Sequence, residues 1–362
     1  MSPDFTIKEC QPGDKEQVRE LYAACYGRDS DRYPSPAEWN WRYHNGLYKS
    51  TIWLAKWGNQ VAAQRAAVVK TVKIGQEYHP AAHFMDVMTH PDYRRRGLFT
   101  RLVRRTTAAV TEQGAAIGYS FPNESSFPGF VAKTDWPHVG SLSLFMKPVN
   151  AEALLGERVG NPALRNGLAF LLRPGLALAC RESRHGRAAG VSVRRLVSFD
   201  QRFDAFWEQV ANDYEVILRR DSRHLNWRYV QRPSVEYAVY AAEEGDRIAG
   251  FIVVRTRRMF GMNLGLIVEL LTLNRDQRVA QALVAQSARH LVGVGADAIT
   301  CVMFDHQPYS QALRREGFLR VPEKLLPRRF YFVARANQDD PNLRKVLDRR
   351  NWFLTWGDND AI

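Results

Sequence analysis

Four residues, Asn40-Trp41-Arg42-Tyr43, return 186 positions later as Asn226-Trp227-Arg228-Tyr229. No local turn or helix rule demands that tetrapeptide twice, and self-similarity at long range fixes an architecture before any single element does. The stretches behind each copy keep step. Residues 51–56, the Gly58-Asn59 pair and residues 61–69 match residues 237–242, Gly245-Asp246 and residues 248–255. Glycine followed by Asn or Asp between alternating apolar runs reads as a hairpin turn. Residues 84–89 then match 267–272, each a buried strand with one acidic residue, and helical segments follow at 99–113 and 279–291. Short strands at 116–121 and 298–304, and a second helix ending near Trp136 or Phe318, complete the parallel.

Each copy therefore reads as helix, hairpin, central strand, helix, strand, helix, strand. The expected fold class is α/β, built of mixed α+β layers, as two tandem units with a mixed central sheet flanked by helices. The expected boundaries are 1–148 for the first unit, 149–197 for a linker with helical segments, 198–336 for the second unit, and 337–362 for an acidic, aromatic tail. With 362 residues, 45% hydrophobic and 25% charged, the chain is folded rather than disordered, and either half can bury a core.

Cys10, Cys25, Cys180 and Cys301 lie far apart without a C-x-x-C pair. That spacing excludes a disulfide framework and a zinc site, leaving free buried thiols and no expected metal. The N-terminus is charged where a leader would be apolar, and no apolar run reaches the roughly 20 residues that span a bilayer. A cytoplasmic chain is expected. Residues 164–181 are basic and apolar; burial between the units is the first reading and contact with a membrane surface the second. A formal charge of +13 favours anionic partners, yet the arginines are scattered and no nucleic-acid motif is present, so no specific nucleic acid is expected.

Chemistry concentrates in Val87-Met88-Thr89-His90-Pro91-Asp92-Tyr93-Arg94-Arg95-Arg96-Gly97-Leu98-Phe99-Thr100. A buried strand ends at Thr89, His-Pro breaks it, and a helix begins near Leu98. Strand, basic glycine-containing loop and helix start present unpaired backbone N–H groups and the positive end of a helix dipole to an anion. The order V-x-x-x-P-x-x-R-x-x-G, carried by Val87, Pro91, Arg94 and Gly97, resembles the pyrophosphate loop of the GNAT superfamily of acyl-CoA-dependent N-acyltransferases. Phe99 stands where that loop has a small residue. The resemblance spans residues 5–148 and, more loosely, 197–335.

That resemblance implies acetyl-CoA or another acyl-CoA as co-substrate. Arg94, Arg95, Arg96, Gly97, Leu98, Phe99 and Thr100 would hold its pyrophosphate. Val87 and Met88 would hold the pantetheine arm and polarise the thioester, and Asn123 would bond the arm's amides. Asp86 is the candidate to bind or deprotonate the amine, with His83 as a second base and Glu124 as an acceptor contact. The tyrosine that many relatives place in the final helix is missing: Val131 holds its position, Phe127 and Phe130 lack a hydroxyl, and Tyr119 is the nearest phenol. At the same offset the second copy replaces Arg94–Gly97 with Gln277, Arg278, Val279 and Ala280, so bulk would close that loop and leave one acyl-CoA site. The expected reaction moves an acetyl or other short acyl group to a small-molecule primary amine, an amino sugar by preference. The alternatives are an aminoacyl-tRNA-dependent transferase of related fold and a non-catalytic acyl-CoA-binding protein. The tail from Asn351 to Ile362 is expected either to fold over a cationic pocket or to fray.

Overall fold

A computed structural model describes residues 4–30, 32–44, 46–155, 175, 191–326 and 328–359. The segment 164–181 and Cys180 fall almost wholly outside them. The first repeat supplies β1 (Thr6–Glu9), α1 (Lys15–Tyr26), α2 (Pro36–Tyr43), β2 (Lys49–Trp57), β3 (Gln60–Ile74), β4 (Glu77–Thr89), α3 (Leu98–Glu112), β5 (Ile117–Ser120), α4 (Phe127–Thr134) and β6 (His138–Pro148). After α5 (Ala151–Leu155) and β7 (Ser192–Leu196), the second supplies α6 (Arg202–Val210), β8 (Val216–Leu218), α7 (Ser222–Tyr229), β9 (Ala238–Glu244), β10 (Arg247–Met259) and β11 (Met262–Thr272). It ends with α8 (Gln277–Gly293), β12 (Ala298–Met303), α9 (Ser310–Arg315), β13 (Leu319–Arg320), β14 (Phe330–Ala336) and β15 (Trp352–Phe353).

The central strands are Ala- and Val-rich because both faces are covered, the usual condition of a strand packed between helices. On one side of β3 and β4, Val18, Leu21 and Trp39 pack on Ala66, Val68 and Met85. On the other, Leu98 and Leu102 of α3 meet Ala62 and Ala63, and Val103 and Val110 meet Ala67 and Ala82. The buried positions of α3, at 98, 102, 103, 106, 107, 109 and 110, form the one-sided stripe that places this helix on the sheet.

The boundaries read from sequence divide the chain but not the sheet. Its strand order runs β1-β2-β3-β4-β5-β14-β6-β12-β11-β10-β9-β7, so the two units exchange strands. β14 inserts antiparallel between β5 and β6, pairing Val333 with Ser120 and Phe330 with Leu142. In return β6 pairs antiparallel with β12, Phe145 opposite Cys301. The repeated tetrapeptide marks the second seam. Trp41 and Trp227 stack with ring centroids 4.8 Å apart and planes 13° from parallel. Each indole N–H donates to the other's backbone carbonyl, at 2.8 and 3.3 Å.

Residues 351–359 of the tail are docked on the body of the protein, where Arg228 donates to the Asn359 carbonyl at 3.0 Å. Trp352, Phe353, Leu354 and Trp356 are buried, β15 pairs with β8, and Asp358 accepts two bonds from the buried Arg220 at 2.9 and 2.7 Å. Asp358 thus neutralises an internal cation, while Asp360 lies outside the described residues. Among the described residues no helix is long and apolar enough to cross a membrane.

Candidate active site

Parallel pairing of β4 with β5 runs from Ala81–Ile117 only to Phe84–Ser120, and beyond that pair the strands part. On its other edge β4 bulges: Gln64 of β3 faces Met88 while Ala66 faces Met85. Asp86 sits in the bulge at φ 49°, a left-handed conformation that a side chain disfavours and that clusters at functional positions. The Gln64 amide donates to the Asp86 carbonyl at 3.3 Å, filling the gap the bulge leaves.

Two clefts meet where the strands part. One, of about 580 Å³, runs from Val87 and Met88 along Arg94, Arg95, Gly97, Phe99 and Thr100. The other, of about 370 Å³, opens on Asp86 from the opposite side. Tyr26, Val87, Asn123 and Ser126 belong to both.

The anion loop has the form its sequence implies. A short 3-10 turn at Pro91–Tyr93 leads to Arg95 at φ 63° and Gly97 at φ 74°. Gly97 is the N-cap of α3 and has no side chain to cap it. The first amides of a helix otherwise lack partners and carry the positive end of its dipole, so this end is open to an anion. A Cβ on Gly97 would meet nothing within 4 Å; glycine is required here for the left-handed backbone. Leu98 is buried beneath the loop, its amide at the helix start. Phe99 fits because Gly129 faces it: a Cβ on Gly129 would lie 2.6 Å from the Phe99 ring.

Several expected residues are corrected. Arg96 lies outside the cleft's lining, its guanidinium 5.9 Å from the Tyr93 ring centre. His83 lines neither cleft. It is fully buried, stacked 4.7 Å from Tyr119 at 2° with Lys70 Nζ 3.4 Å from its Nδ1. Burial, then Lys70, holds its pKa well below the ordinary histidine value, so it is a neutral core residue. Glu124 is exposed at the rim, where it accepts from the Arg329 amide at 3.4 Å. Asn123 lines both clefts, but its side-chain oxygen accepts from the Ser125 and Ser126 amides at 3.1 and 2.9 Å and caps the turn before α4. Cys25 is half-buried on the cofactor side, its thiol donating to the Thr89 carbonyl, and Cys10 is likewise not fully buried.

Asp86 is at the cleft and is already held. Arg42 donates to it at 2.8 Å and the Tyr43 hydroxyl donates to it as well. Burial pushes its carboxyl up, but Arg42 and the hydroxyls of Tyr43 and Tyr22 outweigh that and leave the pKa below the usual carboxylate value. Its partners come from the repeated tetrapeptide, whose periodicity gave no hint of them. The same tetrapeptide serves the second unit, where Tyr229 donates to Glu269 at 3.0 Å. Tyr26 was missed altogether. Its ring lines both clefts, and burial raises its pKa, so it carries its proton at neutral pH.

At the second repeat the corresponding helix start is closed, for a different reason than side-chain bulk. Val279 and Ala280 are buried within the core. The N-cap of α8 is Asp276, whose carboxylate accepts from the Arg278 and Val279 amides at 2.7 and 3.3 Å. Over β11, the tail seats Gly357 against Tyr229 and Glu269. Among the described residues no group of three His, Cys, Asp or Glu side chains gathers to hold a metal.

This construction is matched by known proteins. Residues 6–139 fit the family of acetyltransferase (GNAT) domains. That match lies within the first repeat. No curated protein matches the chain in sequence. Among solved structures, a GCN5-related N-acetyltransferase from Anabaena variabilis superposes with a TM-score of 0.63 at 13% identity, covering 92% of this chain and 73% of that one. The N-myristoyltransferase of Saccharomyces cerevisiae, solved with myristoyl-CoA, gives 0.64 at 14% identity over 94% and 84%. A tandem GNAT protein from the clavulanic acid biosynthesis pathway gives 0.59 at 12% over 93% and 100%. At these identities the likeness is one of fold, and the fold of the whole chain is that of tandem GNAT proteins.

Proposed function

We propose that the protein transfers a short acyl group, acetyl in the simplest case, from acyl-CoA to a small primary amine. The observation that carries this reading is the meeting of two clefts at Val87, one leading to an uncapped helix start and the other to an ionised carboxylate. The amides at the start of α3, with Arg94 and Arg95, would bind the pyrophosphate. The widened edge of β4 at Val87 and Met88 would align the arm so that a backbone N–H faces the thioester oxygen, an interaction that strengthens as negative charge develops there.

Asp86 stays ionised at neutral pH and draws the ammonium form of the acceptor to the junction. Its lowered pKa makes it a conduit for the proton rather than a store. The neutral amine attacks the thioester carbon, the C–S bond breaks, and the amine's proton leaves past Asp86 to water. Tyr26, protonated and on both clefts, is placed to give the departing thiolate a proton. It thus takes the part of the tyrosine absent from α4. An amino sugar suits the aromatic walls that Tyr33, Phe121 and Tyr331 give the acceptor cleft.

Calorimetric titration with acetyl-CoA tests the reading: one site per chain is expected, followed by amine-dependent thiol release. Absence of binding would remove acyl-CoA as donor and bring the aminoacyl-tRNA alternative forward.

A further inference from the structure

The acceptor cleft carries more positive charge than an amine needs. Arg32 of the first unit lines it, with Arg232, Arg255, Arg257, Arg328 and Arg329 of the second. Two carboxylates face them, and both are engaged. Asp86 pairs with Arg42 at 2.8 Å, while Glu38 meets Arg42 at 3.2 Å and Arg232 at 3.1 Å. With Arg42, the described lining sets seven guanidinium groups against two acids.

This is not a solvated basic surface. The Arg232 side chain is 9% exposed, and its guanidinium donates to the Tyr237 hydroxyl at 3.0 Å. That hydroxyl reports the local field. Burial alone would raise its pKa, yet Arg228, Arg232 and Arg255 bring it below the ordinary tyrosine value. Arg232 is itself shifted down, by burial first and Arg228 next, and Arg255 by burial first, with Tyr237 opposing the shift and Arg257 adding to it. Like charges held together against their own repulsion make a site whose strain an anion relieves, and a concave wall focuses the field on that anion.

We propose that the acceptor is itself an anion: an amine whose far end carries a phosphate or carboxylate, held by Arg255, Arg257 and Arg328 while the amino group reaches Asp86. The inference rests on the acyl-transfer reading above and names the substrate class of that site. Guanidinium forks match phosphate and carboxylate oxygens in pairs, which a lysine cluster would not do. A cleft of about 370 Å³ admits a small molecule. The anionic end takes no part in bond making. The second unit, whose own helix start is closed by Asp276, thereby acquires a role: it selects the substrate for the first.

Acetyl-CoA thiol release measured with paired amines tests this. The pairs are 2-aminoethyl phosphate and β-alanine against ethanolamine, and a phosphorylated amino sugar against the same sugar unphosphorylated. The anionic member is expected to have the higher kcat/KM by about tenfold to a hundredfold, the range of a charge-assisted contact. The phosphate and carboxylate arms show which oxyanion the arginines take. In Arg255→Gln/Arg257→Gln the ratio should fall towards one, with retained one-to-one acetyl-CoA binding showing that the variant is folded. If it does not fold, the wild-type ratio decides. Ratios at or below one would overturn the inference alone, whereas acetyl-CoA binding with no turnover of any pair would overturn the acyl-transfer reading with it. Loss of acetyl-CoA binding by the wild type would overturn the reading beneath it.

Discussion

Two helices begin at matching points of the two repeats and meet opposite fates. The helix after β4 starts at Gly97 with no capping side chain and faces a cleft. The helix after β11 starts at Asp276, which supplies its own carboxylate to the same backbone positions. Fold and dipole are shared; one residue decides whether the positive end is offered to a ligand or satisfied within the chain. The acids of the central strands diverge in the same sense. Asp86 faces a cleft, whereas Glu269 lies under the tail beside Arg220 at 3.2 Å. A duplicated helix start can thus be closed without dismantling the fold, by a side chain from inside the chain.

The largest expected effect transfers the second helix start into the first. Gly97→Asp places a carboxylate where the pyrophosphate would sit, and acetyl-CoA affinity measured by calorimetry should fall at least about a hundredfold, from lost helix-end contacts and added repulsion. Unchanged affinity would break the comparison at its root.

Next come the paired acids. Asp86→Asn takes the nearer of two carboxylates from Arg42, leaving Glu38 at 3.2 Å, and the charged acceptor from the Tyr43 hydroxyl, so about 3 kcal/mol is expected, the low end for a broken buried pair. Glu269→Gln should cost less in urea unfolding, because burial already disfavours the charge on Glu269 and Arg220 keeps two hydrogen bonds to Asp358. The two acids also respond to pH in opposite directions. Asp86 has its folded pKa depressed, so its contribution is present above the unfolded carboxylate value and lost as pH falls through the folded one. Burial raises Glu269, so the native protein holds that proton more tightly, and stability drops as pH climbs above about 4.3. Relative to wild type, Glu269→Gln should therefore gain stability with rising pH, and Asp86→Asn should lose it.

A third test addresses the seam. Trp41→Ala and Trp227→Ala should each cost about 3–5 kcal/mol, as large aromatic truncations in cores do. The double variant should cost clearly less than their sum because each is the other's stacking partner. Strict additivity would mean that the rings do not meet in solution.

The smallest effect has the opposite sign. Arg65 is fully buried, lies 4.1 Å from the Phe84 ring centre and 5.1 Å from that of Phe130, and has no hydrogen-bond partner for its guanidinium among the described residues. Replacing a buried charge with an apolar residue of similar volume is often neutral or stabilising. Arg65→Met should leave the melting temperature unchanged or raise it by a few degrees.

Much of this was legible in the chain because it is written locally. Hairpin glycines, the stripe of α3 and the loop from Pro91 to Gly97 are short-range patterns, and the structure places them as read. Three features were not. A constant offset paired Gly97 with Ala280, although an acidic residue just before an apolar helix is a cap signal that would have singled out Asp276. Asp86 looked like a waiting base because the partners that depress its pKa lie 43 and 44 residues away. The exchange of β6 and β14 left no trace, since an alternating strand records which face is buried and not which neighbour bonds its edges.

That exchange bears on how the protein is made. Strand β14 lines the gap beside β5 and brings Phe330 and Tyr331 to the acceptor cleft, yet it follows β6 by almost two hundred residues. Synthesis runs from the N-terminus at about 5–20 residues per second, so the first repeat waits for roughly ten seconds or more with an open sheet edge. The wall that β14 gives the acceptor cleft cannot be completed from the first repeat alone. If the acyl-transfer reading holds, activity would certify that the second repeat has been made and docked, and until then the first unit carries an unpaired edge open to wrong pairing.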